Sequence, residues 1–362
     1  MQKRRFILIL IGVVVLAGVI VLVFRPEPEP EYGGKKLSEW VVELPAMDDN
    51  RHRESEAAQA VLRIGTNAIP FLLEWLCWEP SALRIKLQAP VDKIFTKLSP
   101  ASLKRSHRPY DRRWGAARSF RLFGPVASGA IPELNRRMID PKRRQSGQIA
   151  AACLTNLGTN AVPPLMSALT NENAEVRGRA AVNMEYLGTN AAPAVPLLIE
   201  CLQDTDQMVV WGASKALIHF KHDTRVLPAL ADCVRNSRQT YRGYAIIALG
   251  RFGREALPVL PVLLDCLKDP NVVIAHMAGI ELGNLHLEAS LVVPALAQNL
   301  QHSNAQVRLG ATIGLEQYGE EARSAVPALL KLLNDPDWNA RQTVKNAILK
   351  IDPQVLEKAT AQ

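Results

Sequence analysis

A proline returns along this chain at a nearly fixed interval, and that interval constrains the fold more than any composition does. It stands at Pro70, Pro132, Pro163, Pro196, Pro228, Pro261, Pro294 and Pro327, and from Pro132 onward the spacings are 31, 33, 32, 33, 33 and 33 residues. The first gap, 62, holds two periods, with Pro100 as a degenerate marker between them. Two residues after each proline comes Leu: Leu72, Leu134, Leu165, Leu198, Leu230, Leu263, Leu296 and Leu329. Six after it an apolar residue follows, from Leu76 and Met138 to Leu300 and Leu333. Positions four apart share one face of a helix. Eight after the proline, Asp or Asn fills six of eight copies (Asp140, Asn171, Asp204, Asn236, Asp269, Asp335), which is turn and N-cap chemistry. Fourteen after it stands Arg in five (Arg84, Arg177, Arg242, Arg308, Arg341).

Each period therefore reads as a helical hairpin. Helix A runs from the Asx turn to a glycine, for example Ala174 to Leu187, and Gly188 is expected to cap it in the left-handed region. Thr189 and Asn190 turn the chain, and helix B starts near the proline, whose missing N–H costs nothing there. One hairpin offers about five large apolar side chains, too few to offset the entropy of ordering about 33 residues. Its stability must come from stacked neighbours. Apolar residues make up 48% of the chain but aromatic residues only 6%, which suits helices packed closely through small side chains. The expected fold class is all-α: an α-solenoid of about nine hairpins over residues 35–352, with "KKLSEWVVEL" (Lys35 to Leu44) closing its N-terminal end and 353–362 as a tail.

The pattern is clearest in "NENAEVRGRAAVNMEYLGTNAAPAVPLLIECLQD", Asn171 to Asp204. It resembles the HEAT-like repeat family, and the short period resembles the subgroup also found in phycobilisome-lyase proteins. The resemblance covers roughly residues 50–350. It implies a protein-binding scaffold, in which Asp335 with Arg341 and Asn171 with Arg177 belong to a structural ladder of turn Asx and helix-A Arg. Two enzymatic alternatives come with it, a bilin-lyase-like activity and a metal-dependent one. In the latter class, deoxyhypusine hydroxylase binds iron through His-Glu dipeptides, and this chain has none.

Ahead of the repeats, Phe6 to Phe24 is 19 residues without a charge, following Lys3, Arg4 and Arg5. At 1.5 Å per residue such a helix is about 28 Å long, close to the hydrocarbon thickness of a bilayer. The expectation is one transmembrane anchor at 6–24, residues 1–5 in the cytoplasm and the repeats outside it, with the membrane as a partner through Phe6 to Phe24. "RPEPEPEYGG", residues 25–34, reads as a stiff polyproline-like spacer.

No GxSxG elbow, GxxxxGK[ST] loop, HExxH or paired CxxC occurs, so no catalytic residue, cofactor or metal ligand is assigned. Cys201, Cys233 and Cys266 stand at equivalent helix-B positions five after their prolines. Stacked helices lie about 8–10 Å apart and a disulfide wants Cα atoms within about 7 Å, so free core thiols are expected. "HFKHD" (His219 to Asp223) has metal-like composition but sits at a helix end, where solvated polar residues are ordinary.

Charge supplies the one local signal. Net charge is +8, yet residues 101–150 alone carry 12 Lys/Arg against 3 Asp/Glu, which leaves the remainder near neutral. The candidate partner-binding residues of this belt are Lys104, Arg105, Arg108, Arg112, Arg113, Arg118, Arg136, Arg137, Lys142, Arg143 and Arg144. An electropositive surface would suit an acidic protein partner. A solvated face and a polyanion-binding surface stay open beside that reading. Nucleic acid is disfavoured by the expected location outside the cytoplasm.

Overall fold

The structure is a computed structural model that describes residues 28–45, 54–76, 109–236 and 239–355. It divides into two compact units, Met1–Phe123 and Gly124–Gln362.

In the first unit, helices Leu37–Glu43, Glu56–Ile64, Ile69–Leu76 and Pro109–Phe123 are described. A Cβ on Gly115 would stand 2.2 Å from the carbonyl oxygen of Val41, so only glycine allows Pro109–Phe123 this close to Leu37–Glu43. Arg118 donates to the Leu44 carbonyl at 2.8 Å. Where alternating prolines predict an extended spacer, Glu31–Tyr32 instead pairs antiparallel with Lys35–Lys36. Gly33 and Gly34 make the turn, with φ of 59° and 79°. The hairpin docks on the first helix: the Glu29 carboxylate accepts from the Ser38 amide, and Trp40 Nε1 donates to the Tyr32 carbonyl, both at 3.0 Å.

The second unit is a succession of helical hairpins. Its A helices are Arg144–Thr155, Ala174–Leu187, Gln207–Leu217, Gln239–Leu249, Val272–Leu285, Ala305–Tyr318 and Trp338–Ile351. Its B helices are Ile131–Met138, Val162–Leu169, Val195–Cys201, Val226–Asn236, Leu260–Cys266, Ala289–Asn299 and Val326–Lys331. The proline lies at the first or second position in five of these B helices, as expected from its missing donor. The core sits between the helix rows and is built from the repeat positions, with Leu134, Leu165, Leu198, Leu230, Leu263, Leu296 and Leu329 all fully buried. Asn173, Asp206, Asn271, Asn304 and Asp337 each accept a backbone N–H from the first turn of their A helix.

The bend differs from expectation in one respect. Gly188 has φ 54° and ψ −134°, so it has positive φ but lies outside the left-handed helical region. Its amide still donates to Glu185, and the chain runs on into a short 3-10 helix, Gly188–Ala194. A side chain is strained at that φ/ψ, which is why this bend keeps glycine.

The localisation expected from the sequence is corrected here. Among the described residues no helix is long and apolar enough to cross a membrane, and Phe6 to Phe24 lies outside the described residues. A single-pass membrane protein with an extracytoplasmic repeat domain therefore has no support in the structure.

Candidate protein-binding surface

Ion pairs between successive hairpins hold the A helices in register. Arg177 grips Asp204 with two nitrogens at 2.7 and 2.9 Å, and Arg308 grips Asp335 at 2.6 and 2.7 Å. Arg242 pairs with Asp269 through one nitrogen, and its Nε donates to the Val234 carbonyl at 2.6 Å. The partner is thus the turn aspartate of the next hairpin. Within a hairpin the arginine reaches only backbone: Arg177 donates to the Asn171 and Glu172 carbonyls, and Arg341 to those of Asp335 and Pro336. The ladder is present, but its ionic rungs run between repeats and not inside them. Hydrogen bonding from Arg308 holds the Asp335 carboxyl below the usual carboxylate range, against the opposing effect of burial.

This register lines up a row of side chains that sequence reasoning missed. Trp211, Tyr244, Met277 and Leu309 follow their prolines by 15 or 16 residues, and Ile247, Ile280 and Ile313 by 19. Three- and four-residue steps place them on one face of each A helix, and all seven are half-buried. Met208 and Val273, exposed by 47% and 51%, extend the row at the helix N-termini. Lys215 lies 4.8 Å over the Trp211 ring and reaches Glu185 at 2.8 Å, closing one border of the row. The row stops where the equivalent residues become Gly178 on one side and Gln342 and Asn346 on the other. On the B helices Glu200, Asp232, Arg235, Asp265 and Gln298 are exposed, as are Leu291 and the repeat prolines, while Leu197, Ile199, Leu227 and Leu264 are half-buried. The signal was legible as an apolar residue at a position no core contact demands.

Several described residues of the basic belt are buried or held in ion pairs. Lys104, Arg105 and Arg108 lie outside the described residues. Among the described residues of the first unit, Arg112 and Arg118 are half-buried, Arg113 is buried and Arg121 is exposed. In the second unit Glu133 takes both Arg136, at 2.7 Å, and Arg137, at 2.6 Å. Arg136 first, with Arg137, pulls the Glu133 carboxyl down to about 2. Arg143 pairs with Asp140 at 3.3 Å and Arg144 with Glu175 at 3.0 Å. Glu175 also takes the buried Arg179, which donates to the Met138 carbonyl at 2.7 Å. Lys142 is exposed. Glu133 and Asp140 already stand in the linear count, and Glu175 is the one carboxylate added to these pairs from outside it, so the pairing positions these arginines without removing the belt's net charge.

The remaining candidates are structural. Cys153, Cys201, Cys233 and Cys266 are free and buried, and burial pushes the Cys153 thiol up to about 12, away from reactivity. Asp223 of "HFKHD" is held by Arg225 at 2.7 Å, which lowers its carboxyl to about 2, while His219 and His222 are exposed. Among the described residues no group of three or more His, Cys, Asp or Glu is placed to hold a metal ion.

Comparison with known proteins agrees with the geometry. Residues 162–242 and 293–361 match the family model for HEAT repeats. The chain carries HEAT repeats. Among solved structures it is similar to Kap121p, at 14% identity and a TM-score of 0.52, over 89% of this chain and 38% of that one. It is also similar to Kap121p bound to Pho4p, at 13% identity and a TM-score of 0.50, over 84% and 38%. Human deoxyhypusine hydroxylase in complex with glycerol aligns at 20% identity over 73% of this chain and 98% of that one, but its TM-score of 0.31 carries no argument about chemistry. At these identities the likenesses establish fold. No curated protein matches the chain in sequence.

Proposed function

We propose that this HEAT-repeat chain is a non-catalytic scaffold that holds a protein partner against the A-helix face between Met208 and Ile313. One observation carries the reading: an apolar, half-buried row continues over the A helices of four consecutive hairpins, with Met208 and Val273 exposed at its edge. Contiguous apolar surface rimmed by polar residues marks a binding surface more often than it marks solvent-facing protein. Kap121p, whose fold is similar, is known in a complex with the protein Pho4p, which supports a partner of the same broad class. The spacing of 31–33 residues supports the short-period, phycobilisome-lyase-type subgroup for the repeats themselves. The expected ligand is a protein segment with an apolar face, such as an amphipathic helix laid across the row.

Site-specific photocrosslinking tests this. A crosslinker at Met277 in the full chain, in its native cells, should yield a discrete protein adduct that disappears on Ile247→Glu with Ile280→Glu. The same crosslinker at Asp232, on the B side, should yield none. Adducts of equal yield on both sides, or an adduct indifferent to the two glutamates, would refute the assignment.

A further inference from the structure

The last described A helix keeps half of an ion-pair rung. In Ala174–Leu187 and Ala305–Tyr318 the ladder arginine does two things at once. Its Nη1 donates to two turn carbonyls of its own hairpin, and its Nε and Nη2 grip the aspartate of the next. Arg341 of Trp338–Ile351 makes the first set, from Nη1 to the Asp335 and Pro336 carbonyls at 2.6 and 3.2 Å. No described hairpin follows, and among the described residues no carboxylate is paired with its Nε and Nη2. The same two anchors orient this guanidinium as they orient those of Arg177 and Arg308, with the fork set for a carboxylate.

The surface beside it departs from that of every earlier repeat. The residue eighteen after the proline is buried in the A helices from Ala174–Leu187 to Ala305–Tyr318, as Ala181, Ser214, Ile246, Gly279 and Thr312. Close helix packing occurs there: a Cβ on Gly279 would stand 2.8 Å from Gly310 of the next A helix. In the last A helix the position is Lys345, and it is exposed. A lysine at that contact keeps a further A helix from packing at the repeat distance. Four residues on, Leu349 is 49% exposed, and seven residues before Lys345, Trp338 is 62% exposed. These steps put Trp338, Lys345 and Leu349 on one face of the helix, with Arg341 at its edge.

We propose that this face of Trp338–Ile351 docks an acidic segment of a protein partner, with an aspartate on the Arg341 fork and an apolar side chain against Trp338 or Leu349. Charge chooses the occupant. Exposed Lys350 adds a third cation to Arg341 and Lys345. The carboxylates at the helix ends are engaged: Asp335 holds Arg308, Asp337 caps the helix, and Asp352 lies 3.9 Å from Arg323. Two copies of the chain meeting through this face would set like charges opposite one another, which opposes association. The face is separate from the apolar row, and neither assignment needs the other.

A defined probe decides it. Arg308 already holds the turn that this site would take, so a fluorescein-labelled peptide "LLNDPDW", copied from Leu332 to Trp338, offers Arg341 the same aspartate. Fluorescence polarisation with the full chain should show saturable binding that weakens at least about tenfold on Arg341→Gln, the worth of one charge-assisted contact. Asparagine at both aspartates of the peptide should weaken it as much. Lys345→Glu, at an exposed residue, should also weaken it and keeps the test decisive if Arg341→Gln does not fold. Absence of binding, or binding indifferent to these changes, overturns the proposal. So does loss of binding on Ile280→Glu alone, which would place the peptide on the apolar row. If Glu357→Gln tightens the probe, the chain's own tail is the occupant; if sedimentation finds a dimer that Arg341→Gln dissolves, a second copy is. Either result refutes an external acidic partner.

Discussion

Helix Ala305–Tyr318 meets its two neighbours by opposite means. Toward Trp338–Ile351 it holds a bidentate ion pair, Arg308 with Asp335, both almost fully buried. Toward Val272–Leu285 it offers Gly310 and Gly314 to Gly279 and Gly283, and no charge at all. The comparison shows that register at a repeat interface can be fixed by either of two interchangeable devices. An ion pair fixes register by direction and fails if either partner is lost. A glycine seam fixes it by contact distance and fails if any atom is added.

The ionic flank should give the largest effect. Asp335→Ala leaves Arg308, 8% exposed, without its carboxylate, and stranding one member of a buried pair costs about 3–5 kcal/mol. Denaturant unfolding of the full chain measures it; a loss below about 1 kcal/mol, typical of exposed pairs, would mean water reaches the pair. Acid offers a second reading of the same rung. The folded-state carboxyl of Asp335 is depressed, so its stabilisation is fully present above the ordinary carboxylate range and is lost as pH falls through the lower folded value. The stability difference between wild type and Asp335→Asn should thus be largest near neutral pH and shrink as the solution is acidified below that range. A difference that grows on acidification contradicts the assigned direction.

The glycine flank should give an intermediate effect. Alanine at Gly283 places its Cβ 2.5 Å from the Cα of Gly314, which is backbone and cannot swing aside. Overpacking costs about 1–3 kcal/mol, and the better helix propensity of alanine returns about 1, so a net loss of up to about 2 kcal/mol is expected. A variant more stable than wild type would show that the seam is loose and that the ionic flank alone sets the register.

How much of this could be read beforehand follows from locality. Hairpin, bend and helix starts depend on residues a few positions apart, so proline spacing and Asx turns placed helix Ala174–Leu187 correctly. The rungs link residues 27 apart, Arg177 with Asp204 for one, and the residue pattern could not tell a same-repeat pair from a next-repeat pair. The ion pairing within the belt was hidden for a related reason. A linear charge count cannot know that Glu133 folds between Arg136 and Arg137, or that Glu175, 31 residues from Arg144, comes to lie beside it. The apolar row lay in plain sight but off the core positions, and a search for the core passes over such residues.

The smallest effect should come from the bend on the glycine flank. His286 stands where Gly188 and Gly319 stand in other hairpins, eight residues before the proline, and takes φ 51° and ψ 48° without being glycine. A left-handed non-glycine residue costs about 1–2 kcal/mol, so glycine here removes strain. It also removes the imidazole, which stacks on Tyr318 with ring centroids 4.7 Å apart and reaches Glu321 at 3.2 Å. Aromatic stacking is worth about 0.5–1.5 kcal/mol, which nearly cancels the relief. His286→Gly should therefore change unfolding free energy by less than about 1 kcal/mol in either direction. The mirror change, Gly319→Ala, should cost more, on the order of 1–3 kcal/mol, because its ψ of −131° lies in a region that glycine alone enters cheaply. If His286→Gly is the costlier of the two, the histidine is holding the bend against Tyr318 and Glu321, and that contact is a third way of fixing register.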